Sequence, residues 1–395
     1  MTGGRFVFAL VVGLVAVGPL STDLYLPSLP SIARALDASV AQAQLTLSAY
    51  MTAFAFVQLA YGPLSDRFGR KPVAIGGMAV YAAASLACAF APSIEALIWA
   101  RAAQAAGACA GVVLGRAIVR DVYGPDGTAR ALAAVGSVMA FAPAIGPILG
   151  GFVETWAGWR WNFALLVLLA LVLLACLVLA LDETNAHKNP RATEVAPMLR
   201  NYRTLVADRI YLGYALAVAF SYGGLFAFIS GSSFVLIDVL GLTPPVYAGF
   251  FALCVLGYFT GTRLTVAFTK RLGVDRMIRL GASINIAGGG AMLAAALAGF
   301  AQPGLAGAFW LVVPMAVYMV GMGIVMPNGQ GGALTNYAKM AGAASALMGF
   351  GHFAIAALVG VAFGQLHTGG VLALPALVFG CGIATYASFA LLVRR

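Results

Sequence analysis

The chain has 395 residues, a hydrophobic fraction of 62%, a charged fraction of only 9% and a formal net charge of +10. These values lie far outside the averages for soluble globular proteins, so the sequence excludes an ordinary soluble domain and predicts a polytopic membrane protein. In such a protein the positions of the basic residues report topology rather than affinity for nucleic acid. We therefore predict no nucleic-acid partner and a lipid bilayer around the chain.

The first apolar stretch, residues 6–33, carries Asp23 within the run STDLYLPSLP. An ionisable side chain inside a membrane span costs several kcal/mol unless it faces protein or water, so Asp23 is a candidate functional residue. The stretch is too long for the apolar core of a cleavable signal peptide, and we expect it to be retained. Pro27 and Pro30 follow closely and are expected to bend or end the outer part of this span.

A requirement of about 20 apolar residues per crossing predicts twelve spans. They lie at 6–33, 44–64, 72–90, 96–119, 130–152, 160–181, 210–238, 246–268, 275–299, 306–327, 341–366 and 371–392. The polar stretch after the sixth is predicted to contain a short amphipathic helix from Met198 to Val206. The predicted fold is an all-α membrane protein with two six-helix bundles around a central cavity: residues 1–181, a cytoplasmic linker 182–208 and residues 209–395.

The distribution of Lys and Arg sets the predicted orientation. Basic residues concentrate at the termini, in the linker and in the loops after spans 2, 4, 8 and 10, whereas only Arg34 and Arg160 lie opposite. Both termini and the linker are therefore predicted to be cytoplasmic, in a multi-pass protein of the bacterial cytoplasmic (inner) membrane. The loops DRFGRKPVAIGG and TKRLGVDRMIRLG align Gly69 with Gly273 and predict a parallel repeat, with alternating access by rocking of the bundles.

Four motifs carry a resemblance to a known family. They are STDLYLPSLP in span 1, YGPLSDRFGRKP after span 2, RAAQAAGACAG in span 4 and APAIGPILGG in span 5. Together they resemble the major facilitator superfamily, its drug:proton antiporter branch and, more narrowly, the Bcr/CflA drug-resistance subfamily. The resemblance implies the major facilitator fold and the export of drugs or small metabolites in exchange for protons. Val15 stands where some such antiporters carry a second acid, so we expect neutral, zwitterionic or anionic substrates as readily as dicationic drugs.

Asp23 and Arg101 are the predicted proton-coupling residues. Our spans place no other carboxylate well inside the membrane, and burial away from water favours the neutral form of a carboxylate, so Asp23 is the predicted proton carrier. Arg101 in span 4 is the predicted counter-charge, which either pairs directly with Asp23 or bonds backbone carbonyls and only shapes the field. A permanent structural ion pair is the alternative interpretation of Asp23.

Aromatic, methionine and amide side chains within the spans are predicted to line the substrate site, because they offer contact area without strict geometry. For any one of them, packing in the core or against lipid is the alternative. His352 either titrates near neutral pH or acts as a neutral hydrogen-bonding residue. The predicted substrate-binding residues are Asp23, Tyr50, Phe54, Arg101, Gln104, Tyr222, Phe226, Met326, Asn328, Phe350 and His352.

The glycine, proline and charged positions of two motifs are predicted to act in gating. The resemblance implies that Asp66 and Arg70 brace the closed cytoplasmic side together with Asp121. In span 5, prolines bend the helix and spaced glycines permit close helix contact, which indicates a hinge or ordinary tight packing. The predicted gating residues are Gly62, Asp66, Arg67, Gly69, Arg70, Asp121, Pro143, Gly146, Pro147 and Gly150.

The sequence carries no motif for a cofactor, a metal or ATP. The five cysteines stand singly in apolar runs. A membrane-embedded enzyme is disfavoured, because the spans lack HExxH, paired acids or a nucleophile with a nearby base. The alternative to export is a proton-coupled importer or facilitator of a small solute, since fold does not fix direction. The predicted partners are a small-molecule substrate and protons, and a monomer is expected to suffice.

Overall fold

The structure is a computed structural model that describes residues 4–139, 141–337 and 340–393, without the side chains at 4, 5, 125, 126, 129, 137, 142–144 and 195. Throughout these residues the regular elements are helical, with no strand. The first helices are α1 (Gly4–Asp23), α2 (Leu29–Ala35), α3 (Val40–Phe68), α4 (Arg70–Ala89), α5 (Ile94–Met139), α6 (Ala142–Ala157) and α7 (Trp159–Ala180). A 3₁₀ segment, Leu26–Ser28, joins α1 to α2.

The remaining helices follow in chain order. They are α8 (Val195–Ala207), α9 (Arg209–Ser233), α10 (Pro244–Leu272), α11 (Val274–Leu297), α12 (Leu305–Thr335), α13 (Ala341–Leu366) and α14 (Ala373–Leu392). A π-helical segment, Phe234–Val239, continues α9. The helix predicted at Met198–Val206 is confirmed as α8, which has apolar and basic residues on different faces.

Within the described residues, eleven helical segments are long and apolar enough to cross a membrane. The exception is the predicted fifth span, 130–152, which is not one continuous helix. It is divided between the end of α5 and the 16-residue α6, with Ala140 between them outside the described residues. The start of a new helix here fits the sequence, because α6 begins with a proline in its first turn, where proline is favoured. Before the predicted span, Gly124 also interrupts α5 with φ 64°.

Gly69 and Gly273 turn the chain between consecutive helices in the same way. Gly69 precedes α4 with φ 108° and ψ 157°, and Gly273 precedes α11 with φ 81° and ψ 157°. Side chains rarely adopt this region of backbone conformation, so both turns require glycine. These are the two glycines that the sequence repeat aligned, and their shared conformation gives that alignment a structural basis.

The chain divides into two compact units. The first comprises Met1–Asp37 and Ala49–Val195, and the second comprises Ala38–Ser48 and Ala196–Arg395. In the first unit α5 packs along α1 and α4, and α4 also packs on α7. In the second unit α12 packs on α10 and α11, while α9 packs on α13 and α14. The beginning of α3 is part of the second unit, where the side-chain amide of Gln44 donates to the carbonyl of Ser230.

A close approach of α1 to α5 positions the polar residues of the first unit. A Cβ atom built on Gly111 of α5 would lie 2.5 Å from the carbonyl oxygen of Leu14 in α1. Only glycine allows two helix backbones to approach this closely. The short distance between the helices lets a long side chain on α5 reach the main chain of α1.

Candidate functional site

Arg101 lies at the centre of the polar residues in the first unit. Its side chain is fully buried in α5, and Nη1 donates to the carbonyl oxygen of Ser21 at 2.8 Å. The guanidinium carbon lies 4.5 Å from the ring centre of Tyr25 and 4.4 Å from that of Tyr50. A cation held between aromatic rings and shielded from water gains about 2 kcal/mol per favourable contact. The two tyrosines therefore offset part of the cost of burying this charge.

The end of α1 explains why Arg101 bonds a carbonyl there. Ser21 lies in the last turn of α1, where carbonyl oxygens have no partner within the helix. The negative end of the helix dipole also favours a cation at this position. Arg101 thus caps the carboxyl end of the helix that carries Asp23.

Neutral polar side chains extend this cluster. Gln104 lies one turn after Arg101, as the spacing of three residues predicts, and its carbonyl oxygen accepts a bond from Nη1. Its Nε2 donates to Ser85 Oγ at 2.8 Å. The hydroxyl oxygens of Ser21 and Tyr81 lie 2.7 Å apart. Sequence reasoning missed Ser85 and Tyr81, because their apolar-looking helix α4 gave no sign of which face meets α5.

Two donors of Arg101 remain unused. Among the described residues, Nε and Nη2 are buried and have no hydrogen-bond partner. A buried donor that is left unpaired costs about 1–3 kcal/mol, and more when it is charged. The N–H groups of these two nitrogens are thus able to bind an acceptor from outside the described chain, such as a carboxylate or carbonyl oxygen.

Asp23 is the last residue of α1 and is 4% exposed. Thr22 Oγ1 donates to its Oδ1 at 3.1 Å. In the described part of the chain, no basic nitrogen lies within 4 Å of this carboxylate, so Asp23 and Arg101 do not form an ion pair in this structure. Of the two alternatives for Arg101, the structure has the bond to a backbone carbonyl.

Helix α6 packs directly on the end of α1. A Cβ atom on Gly146 would lie 2.6 Å from the Cβ of Asp23, and a Cβ atom on Gly150 would overlap the carbonyl oxygen of Leu24. Pro147 is buried on the same helix. The predicted glycine face is therefore a tight contact between helices. Pro143 is one of the residues whose side chains lie outside the described part of the structure.

The two aromatic residues predicted on α3 occupy successive turns. Their ring centres are 6.1 Å apart, and both side chains are buried. Tyr50 stacks on Arg101, and its hydroxyl donates weakly to the carbonyl of Gly18 at 3.3 Å. Phe54 lies 3.8 Å from the position where a Cβ atom on Gly18 would stand. Tyr50 thus belongs to the Arg101 cluster, whereas Phe54 packs beside it.

In the second unit, α9 and α13 bring predicted aromatic residues together. The ring centres of Tyr222 and His352 are 3.9 Å apart, and His352 stacks on Phe353 at 4.8 Å. Phe226, one turn after Tyr222, is fully buried near Gly360, and Phe350 is partly buried on α13. Phe353 was missed by sequence reasoning, since an isolated phenylalanine in an apolar run is not distinctive.

The predicted residues of α12 have a different setting. Asn328 accepts a bond from Thr269 Oγ1 at 3.0 Å and donates from Nδ2 to the carbonyl of Ile324 at 2.8 Å. Asn328 therefore links α12 to α10. Met326, two residues earlier in α12, is 8% exposed. Among the described side chains, no hydrogen bond links Asn328 with Tyr222 or His352.

Arg70 organises the predicted gating residues of the first unit. It lies 2.6 Å from Asp66 and 2.9 Å from Asp121, and Nη1 also donates to Ser65 Oγ at 2.5 Å. The side chain of Arg70 is 5% exposed, that of Asp121 is 17% exposed, and that of Asp66 is 47% exposed, so the inner pair with Asp121 is the less screened of the two. This geometry places Asp66, Arg70 and Asp121 together, as the resemblance implied.

The other gating residues of α3 have looser surroundings. Arg67 is exposed, and its Nη1 donates to Thr193 Oγ1 at 2.7 Å. A Cβ on Gly62 would meet no described atom within 4 Å, so close packing does not require glycine there. Gly69, by contrast, needs its positive φ.

Sequence reasoning missed Glu183, a residue of the linker that stabilises the turn between Gly69 and α4. Its carboxylate accepts bonds from the backbone N–H groups of Arg70 at 2.8 Å and Lys71 at 3.2 Å. These amides are the first of α4 and have no partner within the helix, so Glu183 caps α4. A charged residue at a linker start has many possible partners, and only the fold selects this one.

Comparisons with known proteins add to this geometry. The profile of the family described as Major Facilitator Superfamily matches residues 11–361. The chain is 30% identical to the bicyclomycin resistance protein homolog of Haemophilus influenzae over 90% of this chain and 88% of that protein. It is 32% identical to a chloramphenicol resistance protein of Pseudomonas aeruginosa, over 83% and 76%. It is 28% identical to multidrug resistance protein D of Escherichia coli, over 86% and 84%.

Solved structures show the same fold at low sequence identity. The xylose transporter XylE from E. coli, in a partially occluded inward open conformation, matches with a TM-score of 0.73 at 12% identity, over 99% of this chain and 98% of that one. A bacterial homolog of the human lysosomal transporter Spinster matches with a TM-score of 0.71 at 16% identity, over 98% and 94%. At these identities the likeness concerns the fold alone.

Proposed function

Because the chain belongs to the Major Facilitator Superfamily, we propose that it exports drugs or small metabolites across the membrane in exchange for protons. The predicted fold is confirmed, and the chain is a transporter rather than an enzyme. Its relatives fit the Bcr/CflA drug-efflux branch that the motifs indicated. What we propose beyond family membership is the coupling to protons, the direction of transport and the class of substrate.

The observation that carries the proposal is the state of the two buried charged residues. Asp23 and Arg101 lie in one unit, both almost without solvent exposure, and neither has an ion-pair partner among the described residues. Two residues in a permanent structural ion pair would instead be bonded to each other. An unpaired carboxylate can lose its charge by taking up a proton, and an arginine with unused donors can bind a ligand. These two properties are what a proton-coupled transporter needs.

In the proposed cycle, protonation of Asp23 and binding of the substrate to its ionised carboxylate exclude each other. When Asp23 is protonated, Arg101 keeps its bond to Ser21 and its place between Tyr25 and Tyr50. When Asp23 loses its proton, the carboxylate attracts the guanidinium, and the unused donors turn towards it. A substrate that contacts the ionised carboxylate competes with the proton for Asp23, so the binding of one favours the release of the other. Such a link is what couples two flows through alternating conformations.

The first test of substrate uses the drugs that appear in the names of similar proteins. Bicyclomycin and chloramphenicol are the first compounds to test, followed by zwitterionic and anionic antibiotics. Cells that express the protein should grow at higher drug concentrations than cells with the empty vector. Accumulation of labelled chloramphenicol should fall with expression and recover when the proton gradient is collapsed. Higher accumulation on expression would instead support the importer.

The proton-coupling test uses purified protein in lipid vesicles. Asp23→Asn should abolish drug transport driven by a pH gradient and preserve exchange of labelled for unlabelled drug, because the amide cannot carry a proton. Asp182→Asn is the matched control, since Asp182 is exposed after α7 and should not matter. Gradient-driven transport by Asp23→Asn equal to that of the unaltered protein would refute the role of Asp23.

The proposed setting is the bacterial inner membrane, with both termini and the linker in the cytoplasm and two six-helix bundles, residues 1–181 and 209–395, that rock about the linker. Reporter fusions at each terminus and within residues 185–190 should be active only as cytoplasmic reporters.

The rate of transport per protein copy should be the same in vesicles that contain one copy each and in vesicles that contain many, because the proposed functional unit is a monomer.

A further inference from the structure

Three residues on one face of α6 contact the segment that starts at Asp23. Gly146, Gly150 and Glu154 are spaced by four residues and so lie along one side of the helix. Gly146 packs on Asp23, Gly150 packs on Leu24, and Glu154 meets Ser31. At 1.5 Å per residue, Glu154 lies about 12 Å along α6 from the level of Asp23. Glu154 and Asp23 thus stand at two ends of one contact between helices, which we name the α6 seam.

The hydrogen bonds of Ser31 indicate where a proton can reside. Ser31 Oγ lies 2.6 Å from Glu154 Oε1 and 2.9 Å from the carbonyl oxygen of Ser28. A serine hydroxyl has one proton, so it can donate to only one of these two acceptors. If Glu154 carries a proton, the acid donates to Ser31 and Ser31 donates to Ser28, and both short distances are accounted for.

The surroundings of Glu154 contain further unsatisfied acceptors. Among the described residues, Glu154 Oε2 is buried without a hydrogen-bond partner, and so is Asn162 Oδ1, on the fully buried Asn162 of α7. Asn162 Nδ2 donates to Ser28 Oγ at 2.9 Å, which joins α7 to the residue whose backbone carbonyl oxygen lies beside Ser31 Oγ. An ionised carboxylate with a buried, unpartnered oxygen is far more costly than a neutral acid. The site therefore suits a proton better than a charge.

We propose that Glu154 is a second proton-binding residue of this transporter, located on the α6 seam on the side that the predicted topology places outside the cell. The carboxylate binds a proton from that side and releases it to the carboxylate of Asp23, which becomes neutral as Glu154 regains its charge. Ser31 provides the hydroxyl group that contacts Glu154 on this seam. The proposal rests on the proposed proton coupling and adds to it a site through which the proton arrives.

The charged and titratable groups near Glu154 come, among the described residues, from the segments that contact α6 and from α2, which carries Ser31. They are Asp23, Tyr25, Arg34, Arg101 and Arg160. Arg160 donates to the carbonyl of Ala91 and lies over Trp159, and Arg101 is held at Ser21. No basic nitrogen of the described residues lies within 4 Å of Glu154. A fixed counter-charge therefore does not hold it ionised.

Infrared spectroscopy of the full chain in lipid vesicles tests the site without any substrate. The difference spectrum between the unaltered protein and Glu154→Gln should contain the C=O stretch of a protonated carboxyl group, which disappears as pH is raised. Glu95→Gln is the matched control, because Glu95 is an exposed carboxylate at the start of α5 and its removal should leave that band in place. In Ser31→Ala the band should persist at a changed frequency, because its hydrogen-bond partner is lost.

The outcomes separate this proposal from the proposed function. If the band disappears in Asp23→Asn and persists in Glu154→Gln, Asp23 is its source and the assignment to Glu154 is overturned. If no protonated-carboxyl band is lost in Glu154→Gln at any pH, the assignment is likewise overturned. If the band belongs to Glu154 while Asp23→Asn transports drug normally, the assignment to Glu154 stands. The proposed role of Asp23 in proton coupling is then refuted.

Discussion

Arg101 donates a hydrogen bond of 2.8 Å to the carbonyl oxygen of Ser21 and so closes the last turn of the helix that ends at Asp23. One side chain therefore links α5 to the end of α1, where the chain leaves the regular helix. Any change at Arg101 acts on the position of Asp23 as well as on the charge beside it.

Arg101→Lys should destabilise the protein by about 1–2 kcal/mol, although it preserves the charge. The lysine ammonium cannot donate as a planar fork or stack flat between Tyr25 and Tyr50. The midpoint of thermal unfolding in detergent measures the effect. Arg200→Lys, at an exposed position of α8, is the control and should leave the midpoint unchanged. Equal midpoints for both variants would contradict the contribution of stacking.

Gly150→Ala should destabilise the protein by about 1–3 kcal/mol, the usual cost of overpacking. The added methyl group would overlap the carbonyl oxygen of Leu24, which is backbone and cannot rotate away. Gly76→Ala in α4 is the matched control, because a Cβ there meets no described atom within 4 Å. A lower unfolding midpoint for Gly150→Ala alone is expected, and tolerance of both changes would mean that the α6 seam is looser than the structure has it.

Arg70→Ala should cost more stability than Arg67→Ala. Arg70 is 5% exposed, and its loss removes the shortest bond of Asp121, which is 17% exposed and keeps, among the described residues, only Thr184 at 3.5 Å and Arg120 at 3.9 Å; the expected cost is about 1–3 kcal/mol. Arg67 is exposed and bonds Thr193, so its removal should change the free energy of unfolding by no more than about 0.5 kcal/mol. Thermal unfolding of the two variants side by side measures the difference. A larger effect for Arg67→Ala would exclude Arg70 as the centre of this cluster.

Glu183→Ala should loosen the first turn of α4. Loss of a side chain that caps a helix costs about 1 kcal/mol, and here the freed groups are the amides of Arg70 and Lys71. Hydrogen exchange, followed by mass spectrometry of peptides that cover residues 66–75, should become faster. Glu194→Ala is the control, because Glu194 pairs with Arg191 between two exposed side chains. Unchanged exchange at this turn in Glu183→Ala would show that water replaces the cap at no cost.

The sequence predicted the class of fold because span length and charge position depend on the bilayer rather than on partners. A crossing needs a minimum apolar length, and basic residues avoid one side of the membrane, so both can be recognised residue by residue. The motif around Arg70 was equally accessible, since Asp66 and Arg70 are one turn apart and their pairing is local. The repeat of Gly69 and Gly273 was detected for the same reason.

The partners of buried side chains could not be predicted in this way. Helical spacing placed Gln104 beside Arg101, but it could not show that Arg101 would bond Ser21 rather than Asp23. That choice depends on where α1 ends and on how closely α5 approaches it. Glu154 lies two residues beyond the predicted fifth span, and its contact with Ser31 depends on the packing of α6 against the α1 segment.

The sequence by itself thus determined the membrane class, the family resemblance and the identity of the charged residues in the spans. These follow from composition and from patterns within single helices, where the bilayer or a fixed spacing supplies the physical constraint. Tertiary structure alone decided which donors remain unused on Arg101 and which carboxylate shares a seam with Asp23. Both depend on helix packing, because a difference of a few ångströms in the approach of two helices determines whether a polar atom finds a partner.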